Sequence, residues 1–248
     1  GSADRNAVPY YKIAGQKVTS HFIATPMPLR ISALRSLGGY MNVFAIESFM
    51  DELALAAKAD PVAFRLKHLD DPRAVDVVKL AAEKFGWGAK APDGHGYGFA
   101  FARYENLAAY LALAVEVEVE RATGRVRLAR AVAADDSGTA VNPDAIENQI
   151  QGGIVQAASW TLHEQVKFDR GGITSTDWNS YPILRFREVP DSIEVHVIDR
   201  PGQPFLGTGE AAQGPAGAAI ANAIAHATGA RLRVPPFTPE TVKRALGA

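Results

Sequence analysis

The chain of 248 residues has no cysteine. This excludes disulfides, thiolate zinc sites, a cysteine nucleophile and any iron–sulfur cluster ligated by the chain itself. An excess of either charge is also missing, because 26 basic residues stand against 27 acidic ones. So balanced a surface makes no electrostatic case for nucleic acid or an anionic membrane as partner. Apolar runs stay well short of a bilayer span, and Gly1-Ser2 opens no secretory pattern. Cytoplasmic and periplasmic locations both stay open. Hydrophobic residues are plentiful, at 47%, enough for a substantial core in one large domain or two lobes.

The most distinctive stretch is Gly207-Thr208-Gly209-Glu210-Ala211-Ala212-Gln213-Gly214-Pro215, followed by an alanine-rich run. It sets one carboxylate in a glycine-flanked turn, before a helix predicted from about Pro215 to Thr228. A glutamate held there could act as a general base in dry surroundings. It could equally be a helix-start residue favoured by the dipole, with the glycines serving only the turn. The segment matches G-x-G-x-x-A, but the strand Ile193–Asp199 ends too early and no acidic residue lies at the required distance downstream. A phosphate-binding loop needs Gly-Lys-Ser/Thr, whereas Gly214 precedes Pro215.

Along the chain, Val18–Ala24 reads as a strand before Pro26 and Pro28. Val43 to about Lys58 reads as a helix with Phe44, Phe49, Met50, Leu53 and Ala57 on its apolar face and Glu47, Asp51 and Glu52 interleaved. Asp60-Pro61 and Asp71-Pro72 each start a helix, the first ending about His68 and the second about Phe85, closed by Gly86. The Gly/Pro/Asp-rich connector from Gly86 to Gly98 divides a helical lobe, 1–92, from a mixed lobe, 93–248.

Beyond it the period becomes two. Tyr97–Tyr104, Leu111–Glu120 and Arg125–Asp135 read as strands, with Glu116, Glu118 and Glu120 on a solvated face. Asp135 and Asp136 form a pair suited to a turn or to a metal, with no third ligand nearby. Asn142-Pro143 caps a helix from about Asp144 to His163 that carries Gln149, Gly152, Gly153 and Gln156 as a strip poor in side chains. Two helical glycines cost about 1 kcal/mol each against alanine. The strip therefore predicts close approach of a ligand or another backbone, or tight packing on a strand. Gln165–Arg170 reads as a strand before a turn at Gly171-Gly172, and Thr238 caps a last helix, Pro239–Leu246. The fold class is α/β or α+β, a mixed sheet with packed helices.

Several of these stretches carry a resemblance: Leu34-Arg35-Ser36-Leu37-Gly38 with Phe44–Ala54, Asp135 to Gly153, Asp177–Phe186 and Gly207–Pro215. In this order they resemble the C-terminal part of the molybdenum-binding large subunit of the xanthine dehydrogenase/aldehyde oxidase family, in its isoquinoline 1-oxidoreductase and nicotinate dehydrogenase branch. The resemblance implies hydroxylation of an N-heteroaromatic carbon, or oxidation of an aldehyde, with water as oxygen source. It implies molybdenum on a molybdopterin cytosine dinucleotide, with Glu210 as general base. Arg35, Gln149, Gly152, Gly153, Gln213 and Gly214 would lie on the cofactor side, with the Arg35 backbone amide toward the metal. Leu37 would line the substrate pocket, and no protein side chain would ligate the metal. A full large subunit is much longer, so the expected partners are its N-terminal part, a 2Fe-2S subunit, and a cytochrome or FAD subunit. A non-catalytic assembly module or fragment that keeps only the fold is the alternative.

Overall fold

The computed structural model describes residues 3–23, 29 and 32–247. Among these, six helices and six strands follow one another: α1 (Gly39–Ala56), α2 (Pro61–Lys67), α3 (Pro72–Phe85), β1 (His95–Arg103), β2 (Tyr110–Glu120), β3 (Arg125–Asp136), α4 (Pro143–Leu162), β4 (Phe168–Asp169), β5 (Gly172–Ile173), β6 (Ser192–Val197), α5 (Gln213–Thr228) and α6 (Pro239–Leu246). Four helix starts use one device, a capping side chain followed by proline. Asp60, Asp71, Asn142 and Thr238 each accept a backbone N–H of the first turn. Proline costs nothing there, since its missing N–H would have no partner within the helix.

The main sheet runs β1-β2-β3-β6, antiparallel except for the parallel β3–β6 pair, which α4 connects. Its two faces bury separate cores. Leu111, Leu113, Val115, Val117 and Val119 of β2 pack with α4 and α5, whereas Tyr110, Ala112 and Ala114 join α3 on the other side. The second face is thus covered over the first half of β2, and only its far half is solvated. There Glu116 meets His95 at 2.7 Å and Glu118 meets Arg127 at 2.9 Å. Helix α5 is buried without interruption from Gln213 to Ile224. It lies so close to β1 that a Cβ at Gly96 or Gly98 would stand 2.0 Å from a carbonyl of the helix. Small residues on both sides make that approach possible.

Three predicted elements differ from what forms. Residues 18–23 are exposed and make no strand, and Ala24, Pro26 and Pro28 lie outside the described residues. The strand over Gln165–Arg170 shrinks to the two-residue β4, paired only with β5. On α1, Phe49 and Leu53 are 57% and 36% exposed, while Glu47 and Asp51 are buried. The polar residues face inward because Arg65 pairs with Glu47 and Arg231 with Asp51. Charge pairing overrides the pattern that hydrophobicity alone suggests. Among the described residues no helix is long and apolar enough to cross a membrane.

Candidate active site

The Glu210 turn sits between the end of β6 and α5, and four separate parts of the chain hold it. From the sheet, Asp135 Oδ1 accepts a hydrogen bond from Thr208 Oγ1 at 3.0 Å. Ser137 adds its carbonyl, which accepts Leu206 N–H at 2.7 Å. From beyond β1, Ala109 N–H donates to the Gly207 carbonyl at 3.3 Å. From the segment before α1, Arg35 Nε donates to the Gly209 carbonyl at 2.6 Å, and Arg35 Nη2 reaches the Gln149 carbonyl and Oε1 at 3.0 and 2.9 Å. Gln213, at the start of α5, completes the clamp. With its amide turned as the surrounding groups require, Nε2 donates to the Glu210 carbonyl at 3.0 Å and Oε1 accepts from Arg35 Nε at 2.8 Å.

The Glu210 carboxylate itself is half-buried. Its Oε1 accepts the backbone N–H of Ser36 at 2.9 Å, and its Oε2 accepts the Tyr104 hydroxyl at 2.7 Å. Two donors on two oxygens fix the plane of the group. Both come from unusual backbone. Ser36 and Leu37 have φ of 73° and 50°, and Glu105 and Asn106, directly after Tyr104, have φ of 58° and 61°. Such values are uncommon for residues other than glycine and concentrate where geometry serves function. Two cations, Arg35 and Arg5, interact with Glu210 electrostatically. Partial burial lowers Arg35 below the ordinary guanidinium value, against the opposing pull of Glu210. Burial, helped by the bond to Glu210, pushes the Tyr104 phenol up to about 12.

The other predicted site residues fall into two groups. Gln149 and Gly152 are exposed on the α4 face beside the turn, and open space lies where a Cβ of Gly152 would stand. Gly207 is likewise open. Gly153 and Gly214 instead point inward: a Cβ on Gly153 would meet that of Ala212 at 2.9 Å, and one on Gly214 would meet Val43 Cβ at 2.7 Å. The tight packing expected of the α4 glycines is therefore helix on helix, at Gly153, and not helix on strand. Leu37 is half-buried on a neighbouring cavity of about 340 Å³, with Arg35, Tyr40, Met41, Trp160 and Tyr181.

Asp135 and Asp136 are both engaged by the protein. Burial, resisted by bonds from Ser137 and Thr208, pushes the Asp135 carboxyl up to about 6. Burial acts the same way on Asp136, but Arg73, the Gly138 N–H and Arg200 hold it below its ordinary value. Sequence reasoning missed the roles of Tyr104, Thr208 and Asp135 in this arrangement. The only local signal at Tyr104 is the polar Glu105-Asn106 pair breaking an apolar strand pattern.

A family model described as the molybdopterin cofactor-binding domain matches residues 42–190, more than half of the chain. One subunit of nicotinate dehydrogenase from Pseudomonas putida is 43% identical over 98% of this chain and 22% of its own length. The beta subunit of isoquinoline 1-oxidoreductase from Brevundimonas diminuta is 36% identical over 83% of this chain and 26% of its own length. The chain thus spans about a quarter of the length of these relatives. Quinoline 2-oxidoreductase from Pseudomonas putida 86 shares the fold, with a TM-score of 0.78 at 16% identity over 87% of this chain and 53% of that one. Aldehyde oxidoreductase from Desulfovibrio gigas shares it with a TM-score of 0.72 at 18% identity, over 87% and 42%. The match of the family model over residues 42–190 leaves one assignment: the chain belongs to the molybdopterin cofactor-binding domain family.

Proposed function

We propose that this chain is part of a molybdenum hydroxylase that hydroxylates a carbon of an N-heteroaromatic ring, or oxidises an aldehyde, with water as the oxygen source and Glu210 as general base. One observation carries the reading. The Glu210 carboxylate is half-buried and held in a single plane by Ser36 N–H and Tyr104 O–H, beside the open glycine face of α4. A carboxylate so placed has a lone pair to offer an incoming proton.

The residues fit a metal held by an organic ligand. Among the described residues no three His, Asp or Glu side chains gather as a metal-ligand set. The site offers backbone, amide and guanidinium groups around open glycines instead, the equipment for close contact with a pterin. Arg35 and Gln149 would hold it by hydrogen bonds, Arg35 through its backbone amide, and Gly152 by admitting close approach. Gly153 and Gly214 would act one layer behind, setting the spacing of α4, α5 and α1. When bound, the molybdenum–pterin group supplies a Lewis acid and accepts the two electrons of the oxidation. We assign the cofactor as the cytosine dinucleotide form. The chain's own part is to orient the substrate along Leu37 and to receive a proton at Glu210. The remaining N-terminal part of the large subunit would enclose the cofactor. A 2Fe-2S subunit would carry electrons away and pass them to a cytochrome or FAD subunit. The chain has no cysteine for that task.

Glu210→Gln in the assembled enzyme tests the reading. It keeps the shape of the side chain and removes the base, so turnover should fall by about 10²–10⁴-fold or more with molybdenum content unchanged. Near-normal turnover would remove Glu210 from the mechanism.

A further inference from the structure

We propose that Tyr104 is a positioning residue for Glu210, and that Asn6 and the left-handed pair Glu105-Asn106 serve to aim its hydroxyl. The inference rests on the reading of Glu210 as the base. Tyr104 is 7% exposed and directly follows β1, where the chain turns toward β2. Its hydroxyl accepts Arg5 Nη1–H at 3.2 Å, so its single hydrogen is left for Glu210 Oε2, at 2.7 Å. Burial keeps that phenol protonated across any ordinary working range, and the hydroxyl is therefore a permanent donor.

The backbone that presents it is held in an unfavourable shape by one residue. Asn6, itself at φ 59°, donates from Nδ2 to the Arg103 carbonyl at 2.8 Å and to Asn106 Oδ1 at 3.1 Å. Its Oδ1 accepts Glu105 N–H at 2.9 Å. Asn106 is tied in turn to the Val8 carbonyl at 2.9 Å. The clip and both donors to Glu210 converge at one point on α1. A Cβ at Gly39 would lie 3.0 Å from Ser36 Oγ, 3.3 Å from Tyr104 Cε2 and 3.4 Å from Asn6 Oδ1. Strain persists only where the surroundings over-determine it. Here five non-glycine residues with positive φ, Asn6, Ser36, Leu37, Glu105 and Asn106, flank the two groups that grip one carboxylate. The charged groups facing Glu210 are Arg35, from the segment before α1, and Arg5, which also pairs with Glu105.

Without the hydroxyl, Oε2 loses its donor and the carboxylate is free to rotate. In the assembled holoenzyme, Tyr104→Phe should keep the wild-type molybdenum content and melting temperature. Its kcat should fall about ten- to hundredfold with KM near wild type. In a crystal structure of Tyr104→Phe, the Glu210 carboxylate should have turned away from Ser36 N–H. An unmoved carboxylate together with a near-wild-type kcat overturns the proposal. The two readings can fail separately. Near-normal turnover in Glu210→Gln ends the assignment of the base, whereas the carboxylate orientation in Tyr104→Phe is read without any turnover.

Discussion

Glu210 and Glu47 are held by the same kinds of donor in opposite surroundings. Each accepts a tyrosine hydroxyl on one oxygen, Tyr104 at 2.7 Å and Tyr11 at 2.6 Å. Each accepts a backbone N–H on the other, from Ser36 and from Phe101, both at 2.9 Å. The difference is a third partner. Arg65 Nε donates to Glu47 at 2.7 Å, and both side chains are completely buried. Glu47 is therefore neutralised and out of solvent's reach. Glu210 is half-buried, and of the two cations facing it Arg35 bonds the Gly209 carbonyl and Gln149, while Arg5 bonds the Tyr104 hydroxyl and pairs with Glu105. Counter-charge and access, more than donor type, separate a structural carboxylate from one able to take a proton.

The sharpest way to break this comparison is to make the same change twice. Where Glu210→Gln should remove turnover and leave stability near wild type, Glu47→Gln leaves Arg65 buried without its partner. It should cost about 3–5 kcal/mol in urea unfolding. Replacing Glu47 and Arg65 together with apolar residues of similar volume should cost less than the single change. Equal stability losses at 210 and 47 would mean that the contrast is wrong.

Asp135 and Asp136 extend the comparison to neighbours in one strand. Asp136 has two arginines, and Asp135 has only hydroxyl donors. The Asp135 carboxyl is raised from 3.8 to about 6, so the folded state prefers its neutral form. Stability from this group is present in full below about pH 4 and is lost as pH climbs through about 6. Asp135→Asn, which does not ionise, should gain on the wild type over that window by up to roughly 3 kcal/mol. Denaturation midpoints of both proteins at pH 4 and pH 7 would test this, and a constant difference between them would refute it.

The smallest effect concerns adjacent glycines. Gly152→Ala adds a methyl to open space and should stabilise α4 by about 1 kcal/mol while weakening retention of the pterin. Gly153→Ala drives a methyl to 2.9 Å from Ala212 Cβ and should destabilise by about 1–3 kcal/mol. Urea unfolding and molybdenum content of the pair separate the two roles.

Much of the fold was legible because its signals are local. Asp60-Pro61, Asp71-Pro72, Asn142-Pro143 and Thr238-Pro239 announce four helix starts without reference to anything distant. The alternation of valine and glutamate in β2 likewise marks a strand by itself. What escaped depends on partners far along the chain. Nothing near Glu47 says that Arg65 will bury it, so the inward face of α1 was misread. Among site residues, Glu210 stood out through its flanking glycines, and Arg35 and Gln149 through the order of motifs. Tyr104 could not stand out, because its role exists only once β1 ends beside α5. The two α4 glycines look alike in sequence, and only the position of Ala212 tells the inward one from the open one.

The bonds that hold Glu210 carry a further consequence, in time instead of space. Its two donors lie 174 and 106 residues away along the chain, and the Thr208–Asp135 tie spans 73. Contacts so remote form only after the segments between them have collapsed, since loop closure must precede any gain from them. A half-folded chain therefore holds its glutamate unaimed. The carboxylate is aimed only when these distant segments have docked on one another, so its orientation reports that the parts of the chain that hold it are in place.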